Sequence, residues 1–116
     1  MYEYKIKSVD HIVDGDTLDV TVDLGFNISH KIRVRMYGIN TPESRTRDLE
    51  EKKKGLAAKD RLIELLGEGQ GLLLQTKEKG KNGRYLGIVS KENYPISLNE
   101  TLVAEGHAVS YFGGKR

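Results

Sequence analysis

The segment Asp14-Gly15-Asp16-Thr17 is followed by Asp19, so three carboxylates lie within six residues. Carboxylate oxygens are hard ligands, and such a concentration of them is suited to holding calcium, magnesium or manganese. The same Asp-Gly pair is also a common signal for a two-residue hairpin turn. The segment is therefore either a turn with solvated acidic flanks or half of a metal site, and these residues alone leave both open.

Other residue types offer few ligands for such a site. The sequence has no cysteine, which excludes disulfides, thiolate zinc sites and a cysteine nucleophile. The three histidines, His11, His30 and His107, are far apart and form no ligand motif. Any bound metal is therefore predicted to be held mainly by oxygen atoms.

Three further fragments carry groups that could do chemistry. They are Arg35 within an alternating basic segment, Asn40-Thr41-Pro42-Glu43, and Arg84 at the end of Lys81-Asn82-Gly83-Arg84. Each has an ordinary explanation when it is considered alone. Arg35 fits a solvated strand face, Thr41 fits the cap of a helix or turn, and Arg84 follows an Asn-Gly turn.

The length of 116 residues predicts one domain spanning residues 1–116. The formal net charge is +2, but residues 1–30 carry two lysines against six carboxylates, a net −4, and the rest sums to +6. This asymmetry fits a protein that binds a cation with one part and a polyanion with another. Chance distribution of surface charge is the alternative.

The sequence contains no signal for a membrane or for export. No apolar run approaches the roughly 18 residues of a membrane span. The first residues, Met1 to Lys5, do not resemble a signal peptide. We therefore expect a soluble protein without membrane contact, located by default in the cytoplasm.

Hydrophobic periodicity predicts five strands. Alternating apolar and polar residues predict strands over 2–7, 18–23 and 28–36, and apolar runs predict two more over 72–74 and 85–89.

Two helices are predicted. Apolar residues at spacings of three and four indicate an amphipathic helix over 56–66 that ends at Gly67. A second helix over 97–105 is indicated by the capping-box spacing of Ser97 and Glu100. Five short strands with a helix after the third predict an α+β, mainly β fold: a five-stranded OB-type barrel with two helices.

In their order and spacing, the Asp14-Gly15-Asp16-Thr17 fragment, the stretch 35–43 and the stretch 81–84 resemble the staphylococcal nuclease (thermonuclease) family. The stretch 98–108 also resembles the family's second helix and its exit, so the resemblance covers most of the chain. It implies an OB-fold, calcium-dependent phosphodiesterase that cuts DNA and RNA. The sequence ends soon after Phe112, before the family's third helix, so the resemblance is to a compact form.

The resemblance implies a calcium site. Asp16 and the Thr41 carbonyl match direct calcium ligands, and Asp14 matches an outer-shell group. Asn40 stands where the family has a second carboxylate ligand. An amide oxygen can ligate calcium but brings no charge, so we expect weaker calcium binding or a changed metal preference.

The resemblance also implies roles in catalysis and in nucleic-acid binding. Glu43 matches the group that activates the attacking water, and Arg35 and Arg84 match the groups that bind the phosphate. For nucleic-acid binding, we predict Lys81 in the basic loop and Tyr111, the latter by an offset match to the family's stacking tyrosines.

Other functions remain open at this stage. A non-catalytic single-strand binder would use the basic loop 77–84 and the pair Tyr111-Phe112 as its surface. An interaction module would use the charged segment 44–55. We expect DNA and RNA as partners, and we expect the protein to be a monomer.

Overall fold

The computed structural model describes residues 2–67, 69–79 and 84–111. Five strands form a closed barrel in the order β1-β2-β3-β6-β5, and β4 and β7 form a separate two-stranded sheet. The strands are β1 (Tyr2–Asp14), β2 (Thr17–Asp23), β3 (Ser29–Met36), β4 (Ile39–Asn40), β5 (Leu72–Lys79), β6 (Tyr85–Lys91) and β7 (Val109–Ser110). The two helices of the described residues are α1 (Leu49–Leu66) and α2 (Leu98–Ala104). This arrangement confirms the predicted OB-type fold of the α+β class.

Along the strands of the barrel, apolar side chains that face inward alternate with polar side chains that face outward. Leu18, Val20 and Val34 point inward and are fully buried. Pairing is antiparallel between neighbours except for β3 and β6, which run parallel with Arg35 opposite Leu86. The inner residues of the strands join leucines of both helices in one core.

β1 is twice as long as the predicted first strand. Its pairing with β2 contains three irregularities, between Ile6 and Ser8, Val9 and His11, and Ile12 and Asp14. Each extra residue shifts which side chains face inward, so the simple alternation is lost after Lys7. The sequence pattern therefore missed the second half of the strand.

The prediction that Thr41 caps a helix is wrong. Residues 41–48 are not helical, and α1 begins at Leu49 with Asp48 as its N-cap. The Asp48 side chain accepts hydrogen bonds from the amides of Glu50 and Glu51, at 3.1 and 3.3 Å. The first turns of α1 are exposed and charged, so they lack the apolar spacing on which the prediction of 56–66 was based.

α2 begins as predicted. The Ser97 hydroxyl accepts a hydrogen bond from the Glu100 amide at 3.1 Å, as a capping residue does. Gly106 follows the helix with φ of 82°. Such a positive φ is easily adopted by glycine and ends the helix at the predicted place.

Buried Asn99 ties α2 to the barrel. Its Oδ1 accepts a hydrogen bond from the Val89 amide at 3.0 Å, and its Nδ2 donates to the carbonyls of Tyr37 and Gly87 at 2.8 and 3.2 Å. The Tyr37 carbonyl belongs to the turn between β3 and β4. Asn99 therefore holds the chain that leads from Arg35 to Asn40.

We expect Asn99→Ala to lower the free energy of unfolding by about 3 kcal/mol, because it leaves buried backbone groups without a partner. Urea unfolding monitored by circular dichroism would measure the change. Gln70→Ala removes an exposed amide and is the control. A loss below about 1 kcal/mol would contradict the linking role, since a net hydrogen bond alone contributes that much.

Among the described residues, no helix has both the length and the apolar character that crossing a bilayer requires.

Candidate active site

The acidic segment forms the tight connection between β1 and β2. Asp14 pairs with Thr17, so Gly15 and Asp16 are the two turn residues. The interpretation of Asp14-Gly15 as part of a hairpin turn is therefore confirmed. A turn and a functional site are compatible, because functional side chains often lie on turns that a rigid sheet positions.

Asp16 is buried, with 6% of its surface exposed. Its Oδ1 accepts a hydrogen bond from the Thr17 hydroxyl, and its Oδ2 accepts one from the Thr41 amide, both at 2.9 Å. The Oδ2 atom also lies 3.4 Å from Nη1 of Arg35. The turn carboxylate thus joins the hairpin to the segment that follows β4.

Arg35 lies at the end of β3, directly opposite Thr17. Its Nη1 donates to the carbonyls of Met36 and Ile39, at 3.1 and 2.9 Å. Its Nη2 donates to Oδ1 of Asn40 at 3.0 Å. These hydrogen bonds fix the orientation of the guanidinium, and 15% of the side chain is exposed.

The Asn40 amide has a defined orientation because of Arg35. A guanidinium has only donors, so the Asn40 atom that faces it must be the oxygen. The Asn40 Nδ2 atom is buried without a hydrogen-bond partner among the described residues, as is Oγ1 of Thr41. The amide oxygen predicted to ligate a metal therefore accepts from an arginine here.

The segment 41–44 lies across the hairpin turn and presents Glu43. Thr41 and Ser44 are buried, at 4% and 3% exposed, whereas Glu43 between them is exposed. Oδ1 of Asp14 accepts hydrogen bonds from the amide and the hydroxyl of Ser44. Within the described part of the chain, the Glu43 side chain has no hydrogen bond or ion pair and is free to contact a substrate.

Helix α1 packs tightly against the other side of this segment. A Cβ atom on Gly55 would lie 2.4 Å from the Glu43 carbonyl oxygen and 2.7 Å from the Ser44 amide nitrogen. On the hairpin, a Cβ on Gly15 would lie 2.8 Å from Cβ of Ala58. Small residues at these positions allow the hairpin, the segment and α1 to meet.

The strand that carries Arg35 is paired with β6, which begins just after Arg84. Arg35 pairs with Leu86 in the parallel β3–β6 ladder, so their side chains point to the same face. Arg84 comes directly before β6, whose first residue is Tyr85. Its predicted role as a second phosphate-binding group stays a prediction.

The basic face predicted for β3 is partly neutralised. Arg33 donates from Nε and Nη2 to the two carboxylate oxygens of Asp19, at 2.7 and 3.0 Å. The hydrogen bonding between the two side chains lowers the pKa of Asp19 and raises the pKa of Arg33. Desolvation acts in the opposite direction on both groups, but its effect is smaller. Of the two arginines, Arg35 lies nearer the hairpin turn, opposite Thr17.

The two residues predicted to bind nucleic acid are Tyr111, at the end of the described residues, and Lys81, outside them. The Tyr111 amide donates to the Gly38 carbonyl at 2.8 Å, next to the β4–β7 pair. Lys81, the Asn82-Gly83 turn and Phe112 lie outside the described residues. Their predicted roles stay predictions.

Sequence reasoning missed Ser44 and Gly55. Their importance lies in contacts with Asp14 and Glu43 that cross between elements. Nothing in their local pattern distinguishes them from ordinary loop and helix residues. Asp14 was predicted as an outer-shell group of the calcium site, not as a partner of Ser44.

The three predicted ligands are the Asp16 carboxylate, the Asn40 side-chain oxygen and the Thr41 carbonyl. They are of the type that a hard divalent cation prefers but carry one charge. The structure brings the Thr41 amide to Asp16 and turns the Asn40 oxygen to Arg35. In the parts of the chain that the structure describes, no three His, Asp or Glu side chains are grouped as a metal site. A cation here would rely on one carboxylate and neutral oxygens, which favours weak binding.

Comparison with known proteins identifies a family and one curated relative. The family described as staphylococcal nuclease homologue matches residues 33–116, a range that contains Arg35, Glu43 and Arg84 but not Asp16. Protein ParB of Escherichia coli is 31% identical over 107 residues, which cover 86% of this chain and 54% of that protein. The chain thus spans about half the length of this curated relative. Since the family match extends over well more than half of it, the chain belongs to the staphylococcal nuclease homologue family.

Proposed function

We propose that this protein is a metal-dependent phosphodiesterase that hydrolyses DNA and RNA. The observation that carries the proposal is the junction at the β1–β2 turn. There, Asp16 contacts both Arg35 and the Thr41 amide, and the same segment presents an exposed carboxylate, Glu43. An anchored cationic group and an exposed potential base on one rim are what hydrolysis of an anionic ester requires.

Arg35 is suited to bind a phosphate while it holds its own contacts. Its three hydrogen bonds to Met36, Ile39 and Asn40 use two N–H groups of Nη1 and one of Nη2. A guanidinium has five such groups. Among the described residues, no partner uses the Nε hydrogen or the second hydrogen of Nη2.

In another arginine of this chain, the same two nitrogens bind both oxygens of a carboxylate. Nε and Nη2 of Arg33 donate to the two oxygens of Asp19. A phosphoryl group offers a similar pair of oxygens. We propose that Arg35 binds the scissile phosphate through these atoms, and that Arg84, directly before β6, adds a second positive charge.

Glu43 is proposed to orient the attacking water and accept its proton. Its side chain is exposed, while its backbone is held between the hairpin and α1. A general base of this kind commonly contributes about 10²- to 10⁴-fold to the rate.

A divalent cation, proposed to be calcium, would be held by Asp16, the Thr41 carbonyl and Asn40. When bound, it would supply charge neutralisation of the phosphate and help to orient the water. Because Asn40 adds no charge, we expect weak calcium binding, and magnesium or manganese are alternatives.

Broad specificity follows from the kind of contact. Arg35, Arg84 and the cation would all recognise phosphate, which carries no sequence information. The proposed substrates are therefore both DNA and RNA, with little preference among sequences.

The test is cleavage of end-labelled single-stranded DNA and RNA with calcium, magnesium, manganese or a chelator. We expect cleavage that the chelator abolishes, and Asn40→Asp should lower the calcium concentration needed for half-maximal rate because it adds a ligand charge. Arg61→Lys, at an ion pair between α1 and Glu105, is the control. Salt-sensitive binding without cleavage in any cation would instead identify a non-catalytic binding module.

A further inference from the structure

Glu43, the proposed base, is exposed, yet the segment that carries it is held on both flanks. Thr41 donates to Asp16 on one side, and Ser44 donates to Asp14 on the other. Ser44 is 3% exposed and uses both its amide and its hydroxyl on the same carboxylate oxygen. A buried double contact of this kind leaves Ser44 little freedom.

The third contact comes from α1. The backbone of Glu43 and the amide of Ser44 lie so close to Gly55 that no larger residue fits without a shift. The segment thus cannot move toward the helix, and the Asp14–Ser44 hydrogen bonds prevent it from moving away from the hairpin. Of residues 41–44, only Glu43 is left with an exposed side chain.

We propose that Asp14 and Ser44 are positioning residues, which act by holding Glu43 at the distance from the substrate that proton transfer requires. This proposal rests on the proposed function. Asp14 acts here as a hydrogen-bond acceptor for Ser44, so its negative charge is not what matters most. That separates the role from any electrostatic contribution to a nearby cation.

Asp14→Asn and Asp14→Ala distinguish these roles. Asparagine keeps an oxygen that can accept from the Ser44 amide and hydroxyl but removes the charge. Alanine removes both. We expect Asp14→Ala to lower kcat by about 100-fold with KM little changed, since a misplacement of about 1 Å can cost that much.

Asp14→Asn should retain kcat within a few-fold of the unchanged protein, and the cation concentration for half-maximal rate should be unaltered. Ser44→Ala should lower kcat less than Asp14→Ala, because its amide can still donate. Ser8→Ala is the matched control, since it removes a Ser–Asp hydrogen bond of 2.8 Å, to Asp10, in β1.

Hydrogen exchange of the Ser44 amide supplies a readout that does not depend on activity. Exchange should accelerate in Asp14→Ala and stay slow in Asp14→Asn, because only the former loses the acceptor. Equal exchange in both would overturn the proposed contact. Thermal unfolding of each variant identifies the temperature range in which all are folded for the kinetic measurements.

The outcomes separate the two proposals. If the unchanged protein cleaves no substrate with any of the three cations, the proposed function fails. If it cleaves and Asp14→Ala cleaves as fast, only the positioning role is overturned. If Asp14→Asn loses as much kcat as Asp14→Ala while its Ser44 amide stays protected, the charge of Asp14 matters and the positioning role is also overturned.

Discussion

Glu43→Gln is expected to lower kcat by about 10²- to 10⁴-fold with little change in KM, because an amide cannot accept a proton from water at neutral pH. The side chain is exposed and has no hydrogen bond or ion pair to the described residues, so the fold does not depend on it. The free energy of unfolding should change by no more than about 0.5 kcal/mol. Initial rates on labelled single-stranded DNA, together with urea unfolding, measure both quantities.

Glu64→Gln is the control for this substitution. Glu64 is an exposed glutamate of α1 with a long ion-pair contact of 3.9 Å to Arg61. It should retain full activity. A Glu43→Gln variant that cleaves as fast as the Glu64→Gln variant would remove Glu43 from the mechanism, even if the protein proves to be a nuclease.

Arg35→Lys is expected to be nearly as harmful as Arg35→Ala, with kcat lowered by about 10²- to 10³-fold. A lysine carries the charge but has no planar fork, so it cannot hold two carbonyls, Asn40 and a phosphate at once. It should also lower the free energy of unfolding by about 2 kcal/mol, because hydrogen bonds from a charged donor are lost. Cleavage rates measured well below the unfolding transition separate the two effects.

Arg61→Lys is the matched control for the loss of an arginine fork. Arg61 donates from Nε and Nη2 to Glu105 at 2.6 and 2.8 Å, and this pair lowers the pKa of Glu105. The pair is more exposed than the Arg35–Asp16 pair. We expect full activity from this variant; near-normal turnover in Arg35→Lys as well would show that Arg35 does not bind phosphate through two atoms.

The barrel could be predicted from the sequence because half-buried strands alternate apolar and polar residues. Periods of two along β2 and β3 place Val20 and Val34 inside, and the structure confirms both. The prediction was weakest where that period is absent. The second half of β1 is interrupted by bulges, and the first two turns of α1 are exposed and carry no apolar stripe.

The residues of the candidate site were also identifiable by type and order. Asp16 and Arg35 were singled out before their contact was known, and the structure brings them to 3.4 Å. The resemblance to a nuclease family could name Glu43 and Arg84 as well. It could not indicate how the segment around Glu43 is held.

The amino-acid sequence by itself determined the strand periods of β2 and β3, the cap of α2 and the types of the polar residues that were singled out for the site. Only the tertiary structure decided that Asn40 turns its amide oxygen to Arg35, and that Asp14 accepts from Ser44, thirty residues away. The physical reason is the distance along the chain between the residues that interact. Periodicity and capping act between residues a few positions apart, whereas these hydrogen bonds form only after the barrel has closed and α1 has packed against it.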